Sequence, residues 1–425
     1  MALGGGTFIS QNKVLPGAYI NFVSLASANS ALSDRGVATI AIETDWGKEN
    51  EIIAVTREDF LKNTRKIFGV PYTDDSMKGL RDIFKNIHTL YTYRLNGNGT
   101  KATSDAGTAK YSGVLGNKIS VYIERDADMN VVVKTVIGTE TVDAQTIINA
   151  TDLVDNDYVT FSKGDWIRPD EVYSFSGGTN GTVNGESHQK YLDAIESYTY
   201  NTMGVVTTDD TIKELYIAFC KRMRDELGIK VQLVVFNKAA DYEGVINVKN
   251  SVDLVYWVVG ATAGCAVNKS NLNREYDGEF DITADYTQTQ LANAIKAGEF
   301  VFHRVGTTFR VLEDINSLTT TTEEKGDVFK DNMTIRIIDQ VANDMAVMFA
   351  NKYIGKIANN ESGRISLWNE IVKHHQELER IGAIENFNPD DVVVAQGDSK
   401  KAVVVTDSIT PINAMAQLYM TVIVA

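Results

Sequence analysis

The sequence predicts an α/β and α+β multidomain protein: an α/β body with an inserted small antiparallel β domain and extended N- and C-terminal strand arms. Three observations lead to this fold class. Helix and strand patterns alternate over residues 187–236, short alternating strands crowd residues 96–186, and both chain ends are apolar and nearly uncharged. A chain of 425 residues, 44% of them hydrophobic, is long enough to bury several cores.

The changes in pattern divide the chain into six expected segments. These are an N-terminal arm at 1–22, the N-terminal part of the body at 23–95, the inserted β domain at 96–179, an α/β domain at 180–310, a C-terminal domain at 311–401 and a C-terminal arm at 402–425.

The two ends are predicted arms because their composition is unusual for chain termini. Lys13 is the only charged residue among the first 33, and Asp407 is the only one from 402 to 425. Termini are normally polar, whereas AVVVTDSIT and AMAQLYMTVIVA are rich in strand-forming residues. Such a strand either pairs inside its own domain or is donated to a neighbouring subunit, and the sequence leaves both alternatives open.

The first half of the body and the insertion follow from local patterns. Residues 57–66 and 75–88 are predicted as helices, and TLYTYRL at 89–95 as a strand. Three further runs alternate as strands do, namely KISVYIERD, NVVVKTVIG and DYVTFSK. The glycine-rich stretch GGTNGTVNG at 177–185 closes the insertion.

The second half returns to an α/β pattern. A helix is expected near Ser187, a strand at 204–206, a helix capped by Asp209 or Asp210, and a strand at 231–236. The apolar run 254–267 predicts a buried helix or strand, and residues 299–313 two strands meeting near Gly306. Two long helices follow, one with its apolar stripe running from Ile338 to Ile357 and one from about 362 to 381.

Composition and motifs argue against several classes of function. The formal charge of −15 disfavours nucleic acid and anionic membranes as partners, and the longest apolar run is too short to span a bilayer. NGNGTKA lacks the helix and third glycine of a dinucleotide site, and GGTNGTVNG lacks the ending of a phosphate loop. No metal-binding spacing or serine-hydrolase motif is present, so we expect no catalytic residue, no metal and no cofactor.

Smaller features suggest a cytosolic protein. Cys220 and Cys265 are expected to be buried thiols in a reducing compartment. The N-terminus lacks the pattern of a signal peptide. The adjacent His374 and His375 are interpreted as a solvated or partner-facing pair.

The sequence resembles the tail sheath proteins of contractile phages, particularly those of PBSX-like prophages and R-type tailocins. The resemblance rests on segments that occur in order along the whole chain: MALGGGTFISQNKVLPGAYINFVS, KYSGVLGNKISVYI, FSGGTNG, YLDAIESYTYN, YIGKIANNESGR and VVVTDSITPINAMAQLYMTVIV. Each segment is short, and the resemblance depends on their occurring in the same order as in the family.

The resemblance implies a structural subunit rather than an enzyme. Subunits of this family form hexameric rings stacked helically around a tail tube, and contraction drives the tube through a cell envelope. The implied partners are further copies of the chain, the tail tube protein, and the baseplate and tail terminator proteins. Synthesis in the bacterial host cytoplasm and a place in a phage tail or tailocin particle are also implied.

The resemblance also assigns the two ends as inter-subunit arms. The residues expected to pair between subunits are Val14, Leu15, Pro16, Gly17, Ala18, Tyr19, Ile20, Val403, Val404, Val405, Leu418, Tyr419, Met420, Thr421, Val422, Ile423 and Val424. A tube-facing surface is expected where the acidic last part of the chain has little net charge, at Lys352, Lys356, Arg364, Lys373 and Arg380. An ordinary solvated helix face is the alternative.

Two other classes stay open at this point. The first is another self-assembling shell or tube protein, although a surface layer would need a secretion signal and a tube subunit would be expected to be far shorter. A cytosolic α/β enzyme would need a ligand-sized cleft in residues 187–313, and it would leave both apolar ends unexplained.

Overall fold

A computed structural model describes residues 32–424 of the chain. Their contacts separate two compact units. The main unit comprises Arg35–Asn343 together with residues 412–424, and the C-terminal unit comprises residues 32–34 and Asp344–Pro411. No helix within residues 32–424 is both long and apolar enough to cross a membrane.

Seven helices lie wholly in the main unit: α1 (Arg57–Lys62), α2 (Thr64–Phe68), α3 (Lys78–Phe84), α4 (Gly185–Ile195), α5 (Asp210–Lys221), α6 (Leu254–Gly264) and α7 (Gln288–Lys296). Its strands are β1 (Val37–Ile42), β2 (Ile53–Thr56), β3 (Thr89–Arg94), β4 (Thr103–Ser104), β5 (Gly107–Ala109), β6 (Ile119–Arg125), β7 (Val131–Ile137), β8 (Glu140–Ile147), β9 (Val159–Phe161), β10 (Val172–Ser174), β11 (Thr202–Gly204), β12 (Gln232–Phe236), β13 (Val245–Val248), β14 (Glu299–Phe300), β15 (Phe302–Val305) and β16 (Thr308–Val311).

The body of the main unit is built on a seven-stranded sheet with the order β14-β13-β12-β11-β1-β3-β2. Every pair is parallel except β2 with β3 at one edge. Parallel strands are normally covered on both faces, and this sheet follows that rule. One face packs on the core that contains α3 and α6, and the other on the core of α4 and α5. The predicted α/β body is therefore confirmed.

Local sequence explains where these helices begin and end. Asn184 caps α4, and Asp209 caps α5 by accepting hydrogen bonds from the backbone N–H groups of Thr211 and Ile212. After α5 the chain continues through a π-helical turn, Arg222–Glu226, and Gly228 then takes a positive φ of 72°. The apolar run from Leu254 forms α6, whose residues are almost all buried, as the sequence predicts.

The insertion is an antiparallel β domain with its own core, as the alternating runs predict. Its sheets have the orders β10-β6-β7-β8 and β4-β5-β9. Buried Arg94, the last residue of β3, binds the carbonyl oxygens of Thr44, Gly47 and Ser112 at 3.0, 3.2 and 2.9 Å. One side chain thus joins loops of the body to the start of the insertion.

The remaining elements lie mainly in the C-terminal unit. They are α8 (Asn332–Lys352), α9 (Glu361–Arg380), β17 (Ile384–Glu385), β18 (Val393–Gln396), β19 (Val403–Thr406) and β20 (Thr410–Pro411). Helix α8 starts in the main unit, and Asp344 is its first residue in the C-terminal unit. The small core of this unit contains Tyr353, Leu367, Ile371, Val372 and Val392.

Several sequence predictions need correction at their boundaries. Residues 57–66 form two helices rather than one, because Asn63 leaves the helical conformation at φ −117° between α1 and α2. The strand predicted at 204–206 lies at Thr202–Gly204. The first long helix ends at Lys352, short of Ile357, and Gly355 turns the chain with a φ of 71°.

Candidate assembly surfaces

The end of the chain presents a run of exposed apolar side chains. Residues 412–424 form no helix or strand. The side chains of Met415, Leu418, Tyr419, Ile423 and Val424 are 84–100% exposed. Asn413 Oδ1 lies 3.4 Å from Thr334 Oγ1 near the start of this segment. A folded chain normally buries side chains of this type, so this segment is a candidate surface for association.

A two-stranded hairpin in the C-terminal unit is the second candidate. β18 and β19 pair antiparallel, with Val394 opposite Val405 and Gln396 opposite Val403. The hairpin is a sheet of two strands, so among the described residues each strand has one edge without a strand partner. Val393 and Val404 are 54% and 53% exposed, whereas Val394 and Val403 pack on the helices.

Part of the predicted C-terminal arm also pairs within its own chain. Val403, Val404 and Val405, which were expected to pair between subunits, form β19 and bond to β18 along one edge, and their pairing with another subunit stays a prediction. The Thr410–Pro411 strand likewise pairs with Ile384–Glu385. Of the described residues of the predicted arm, 412–424 are the longest stretch that forms no strand within the chain. The N-terminal candidates, from Val14 to Ile20, lie outside the described residues.

An apolar groove runs beside β19. It has a volume of about 430 Å³ and lies between the end of α8, the start of α9 and the beginning of β19. Phe349, Tyr353, Ile354 and Ile357 line it, with Lys400 and Lys401 at the β19 end. Ile354 is 61% exposed. The groove therefore offers apolar surface next to the edge of a strand.

The predicted tube-facing cations differ in their surroundings. Lys352 forms a 2.6 Å ion pair with Glu370, which links α8 to α9. Lys356 donates to the carbonyl oxygen of Asn351 at 2.6 Å. Arg380 pairs with Glu377 on the same helix, and Lys373 is exposed. These four side chains reach solvent, as a contact surface requires.

Arg364 instead has a structural role. It is half-buried, and its Nη1 donates to Asn359 Oδ1 at 3.0 Å. Asn359 Nδ2 in turn donates to the carbonyl oxygens of Lys400 and Ala402 at 3.1 and 2.7 Å. Arg364 therefore orients the amide that fixes the turn before β19.

The interpretation of His374 and His375 as a solvated pair is wrong. Their side chains are 3% and 0% exposed, and each imidazole contacts a carboxylate. His374 Nε2 lies 2.9 Å from Asp344 Oδ2, and His375 Nε2 contacts Asp407 Oδ2. The two carboxylates come from α8 and from the chain after β19, positions that sequence spacing could not bring together.

Both cysteines lie inside the fold, as the sequence predicts. Cys220 and Cys265 are free and buried, and burial raises the pKa of the Cys220 thiol to about 12. No group of three or more potential metal ligands occurs within residues 32–424.

Models of known protein families match four segments of the chain between residues 35 and 425. Four family models match: the tail sheath protein Gp18 domain III N-terminal region at 35–95, the phage tail sheath protein beta-sandwich domain at 96–180, the central domain at 181–317 and the C-terminal domain at 324–425. The phage-like element PBSX protein XkdK of Bacillus subtilis (strain 168) is 30% identical, and the alignment covers 99% of both chains. The chain belongs to the phage tail sheath protein family.

Further relatives agree with this assignment. A tail sheath protein of a Clostridium phage is 24% identical over 45% of this chain and 55% of its own length. The crystal structure of a sheath tail protein from Desulfitobacterium hafniense superposes with a TM-score of 0.82 at 32% identity, covering 95% of this chain and 99% of that one. One from Listeria innocua gives 0.79 at 29% identity, covering 90% and 93%.

More distant structures share the fold alone. The contracted helical sheath of the anti-feeding prophage matches with a TM-score of 0.57 at 13% identity, covering 96% of this chain and 99% of that chain. As a member of this family, the chain is a structural subunit of a phage tail sheath rather than an enzyme, and it forms part of a phage tail particle.

Proposed function

We propose that the chain polymerises as stacked hexameric rings around a tail tube, and that contraction of this sheath drives the tube through the envelope of a target cell. The observation that carries the proposal is the exposed apolar segment 412–424 together with the hairpin of β18 and β19, which can accept a further strand. Its partners would be further copies of the chain, the tail tube protein, and the baseplate and tail terminator proteins. Synthesis would take place in the host cytoplasm.

The arm of one subunit would add a strand to β19 of another. In an extended strand, alternate side chains point to opposite faces, so Leu418, Met420, Val422 and Val424 would share one face. On the β19 edge that face would cover the groove beside Ile354 and Ile357. Residues 412–424 contain no charged residue, so the arm would form no salt bridge with Lys400 or Lys401. Its contact with the groove would be made by apolar side chains.

Strand addition suits a lattice that must move without coming apart. Backbone hydrogen bonds supply the affinity, and they do not depend on the orientation of the rest of each subunit. Rigid units connected by such strands can rotate past one another, as in other two-state rigid-body transitions. The domain boundaries inferred from the sequence belong to the same proposal, with one arm before the domains of the body and one arm after them.

Cysteine cross-linking between two chains tests the strand addition directly. One chain would carry Val404→Cys, and a second, differently tagged chain would carry a single cysteine at each position from 418 to 424 in turn. Because neighbouring strands alternate their side chains, we expect cross-linked heterodimers at every second position. Cys220 and Cys265 are buried and should not interfere.

Ile148→Cys on the inserted β domain, 88% exposed, is the matched control and should give no such pattern. Equal cross-linking at all positions, or none between different chains, would contradict strand addition to β19.

The cations of the C-terminal unit are proposed to contact the tube. Reversing the charge in the double variant Lys352→Glu and Lys356→Glu should weaken sheath assembly around tubes, while sheath-only polymers still form. Lys352→Glu combined with Glu370→Lys restores the ion pair and separates its loss from the loss of a surface charge. The exposed Lys101 and Lys163, reversed together, are the control. Co-sedimentation with purified tubes measures the effect, and unchanged binding by the double variant would exclude a tube-facing role.

A further inference from the structure

Four buried or half-buried side chains form a continuous chain of contacts in the C-terminal unit. This His–Asp cluster consists of Asp344, His374, His375 and Asp407. The rings of His374 and His375 meet through their Nδ1 atoms, which are 3.1 Å apart, and their Nε2 atoms face the two carboxylates. The side chain of Asp344 is 5% exposed and that of Asp407 is 24% exposed.

The geometry sets the number of protons that the cluster holds. An ionised carboxylate only accepts hydrogen bonds, so each Nε2 must carry a proton. Two neutral imidazoles would then direct two Nδ1 lone pairs at each other, and two imidazoliums would direct two N–H groups at each other. Only one added proton, placed on either Nδ1, makes the 3.1 Å contact a hydrogen bond.

The cluster also involves residues that lie close in sequence to both predicted arms, namely Ser33 and Asp407. The backbone N–H of Ser33 donates to Asp344 Oδ1 at 3.2 Å, and the Ser33 hydroxyl bonds to the same oxygen. Ser33 lies 11 positions after the end of the predicted N-terminal arm, residues 1–22. Asp407 directly follows β19 and precedes residues 412–424 by five positions. The two histidines therefore lie between Asp344, which binds Ser33, and Asp407, and we call Ser33 and Asp407 the roots of the two arms.

The surroundings place further charges near the pair. A cavity of about 340 Å³ beside His374 and Asp344 is lined by Lys352, Glu370 and Lys373. On the other side, the ring of Phe387 lies edge-on to His375 at 5.2 Å between centroids. Burial alone would raise the pKa of Asp407, but the hydrogen bond and positive charge of His375 outweigh it and lower that pKa. Asp407 therefore accepts hydrogen bonds as a carboxylate.

We propose that His374 and His375 share one added proton, and that this protonated pair holds the roots of both arms in the geometry needed for strand donation. The inference rests on the proposed function of the arms. If the proton is lost at higher pH, two Nδ1 lone pairs face each other across the 3.1 Å contact. If a second proton is gained at lower pH, two N–H groups face each other there. In both cases the two rings are then pushed apart, which shifts the imidazoles against Asp344 and Asp407 and loosens the roots of both arms, so polymerisation declines on both sides of an intermediate pH.

Nitrogen-15 spectra of histidine-labelled full-length protein test the proton count, in the polymer or in the monomer. At the pH of best polymerisation we expect three protonated nitrogens and one unprotonated nitrogen among the four of His374 and His375. Substituting each of the two histidines in turn assigns the signals. Two neutral rings, or two imidazoliums, would overturn the inference.

His375→Gln tests the link to the arms. Glutamine can still donate a hydrogen bond to Asp407, but it offers no ring nitrogen to His374. This variant therefore has no shared proton that could be lost at alkaline pH. The readout is hydrogen exchange of residues 408–410, corrected for the intrinsic pH dependence of exchange. In the unmodified chain we expect protection to fall at least about tenfold on both sides of its maximum, since a hydrogen bond to a charged group is lost. In the His375→Gln variant, the protection of residues 408–410 should not fall on the alkaline side of its maximum.

His88→Gln at the exposed His88 is the control. In this variant, protection of residues 408–410 should still fall on both the acid and the alkaline side of its maximum. Identical profiles for the unmodified chain and His375→Gln would overturn the proposed link. These measurements can be made on the monomer. They therefore distinguish a failure of the shared-proton proposal from a failure of the proposal that the arms donate strands. If the profiles behave as expected but deletion of the arm leaves polymerisation intact, strand donation fails and the shared proton stands.

Discussion

Deletion of residues 415–425 is expected to leave a soluble, folded monomer that forms no sheath polymer. The described part of this segment has no strand partner in its own chain, and its large side chains are 68–100% exposed. Its removal should therefore change the free energy of unfolding by less than about 0.5 kcal/mol. Asn413, Thr410 and Pro411 are retained because they contact the rest of the chain. Sedimentation velocity and thermal unfolding measure the two effects.

A pair of point variants controls for the loss of apolar surface. Leu418→Lys with Ile423→Lys should abolish polymerisation as the deletion does. Ile148→Lys with Val154→Lys changes comparably exposed residues on the inserted β domain and should leave polymerisation intact. Sheaths formed by the truncated chain would show that the arm does not connect subunits.

Replacement of Asp339 by alanine is expected to destabilise the main unit by about 3–5 kcal/mol. Asp339 lies on α8 and accepts two hydrogen bonds from Arg224, at 2.6 and 2.8 Å. The two side chains are 6% and 3% exposed, so the variant leaves a buried guanidinium without its counter-ion. Arg224 also donates to the carbonyl oxygen of Val231 at the start of β12, so α8 loses its ionic anchor to the central sheet.

Denaturant unfolding followed by the fluorescence of the buried Trp257 measures this loss. The matched control is Glu196→Ala, which breaks the ion pair with Arg222, two residues before Arg224 in the same helical segment. That pair is 36–38% exposed, and its loss should cost less than about 1 kcal/mol. Equal effects of the two variants would show that the Asp339 pair does not anchor α8.

The parts of the fold that sequence reasoning predicted are those fixed by local patterns. The apolar stripe and aspartate cap of α5, the continuous apolar run of α6 and the alternation in β6 and β7 each depend on neighbours in sequence. For the same reason the strand composition of 403–406 was recognised correctly.

The parts that it missed depend on residues far apart in the chain. Nothing local shows that Val403–Thr406 pairs with Val393–Gln396 of the same chain. Nothing local shows either that Arg364 bonds to Asn359, whose amide holds the distant turn before β19, and the tube-facing role of Arg364 stays a prediction. His374 and His375 looked solvated because Asp344 and Asp407 lie about 30 residues away on either side. The one available signal was that Asp407 is the only charge in the C-terminal arm.

We propose that this chain builds a sheath by joining copies of itself through its apolar ends. Negative-stain electron microscopy of the purified full-length protein tests it most directly. Long hollow tubes that disappear on deletion of residues 415–425 are the expected result. Discrete particles from the full-length chain, or tubes that survive the deletion, would contradict it.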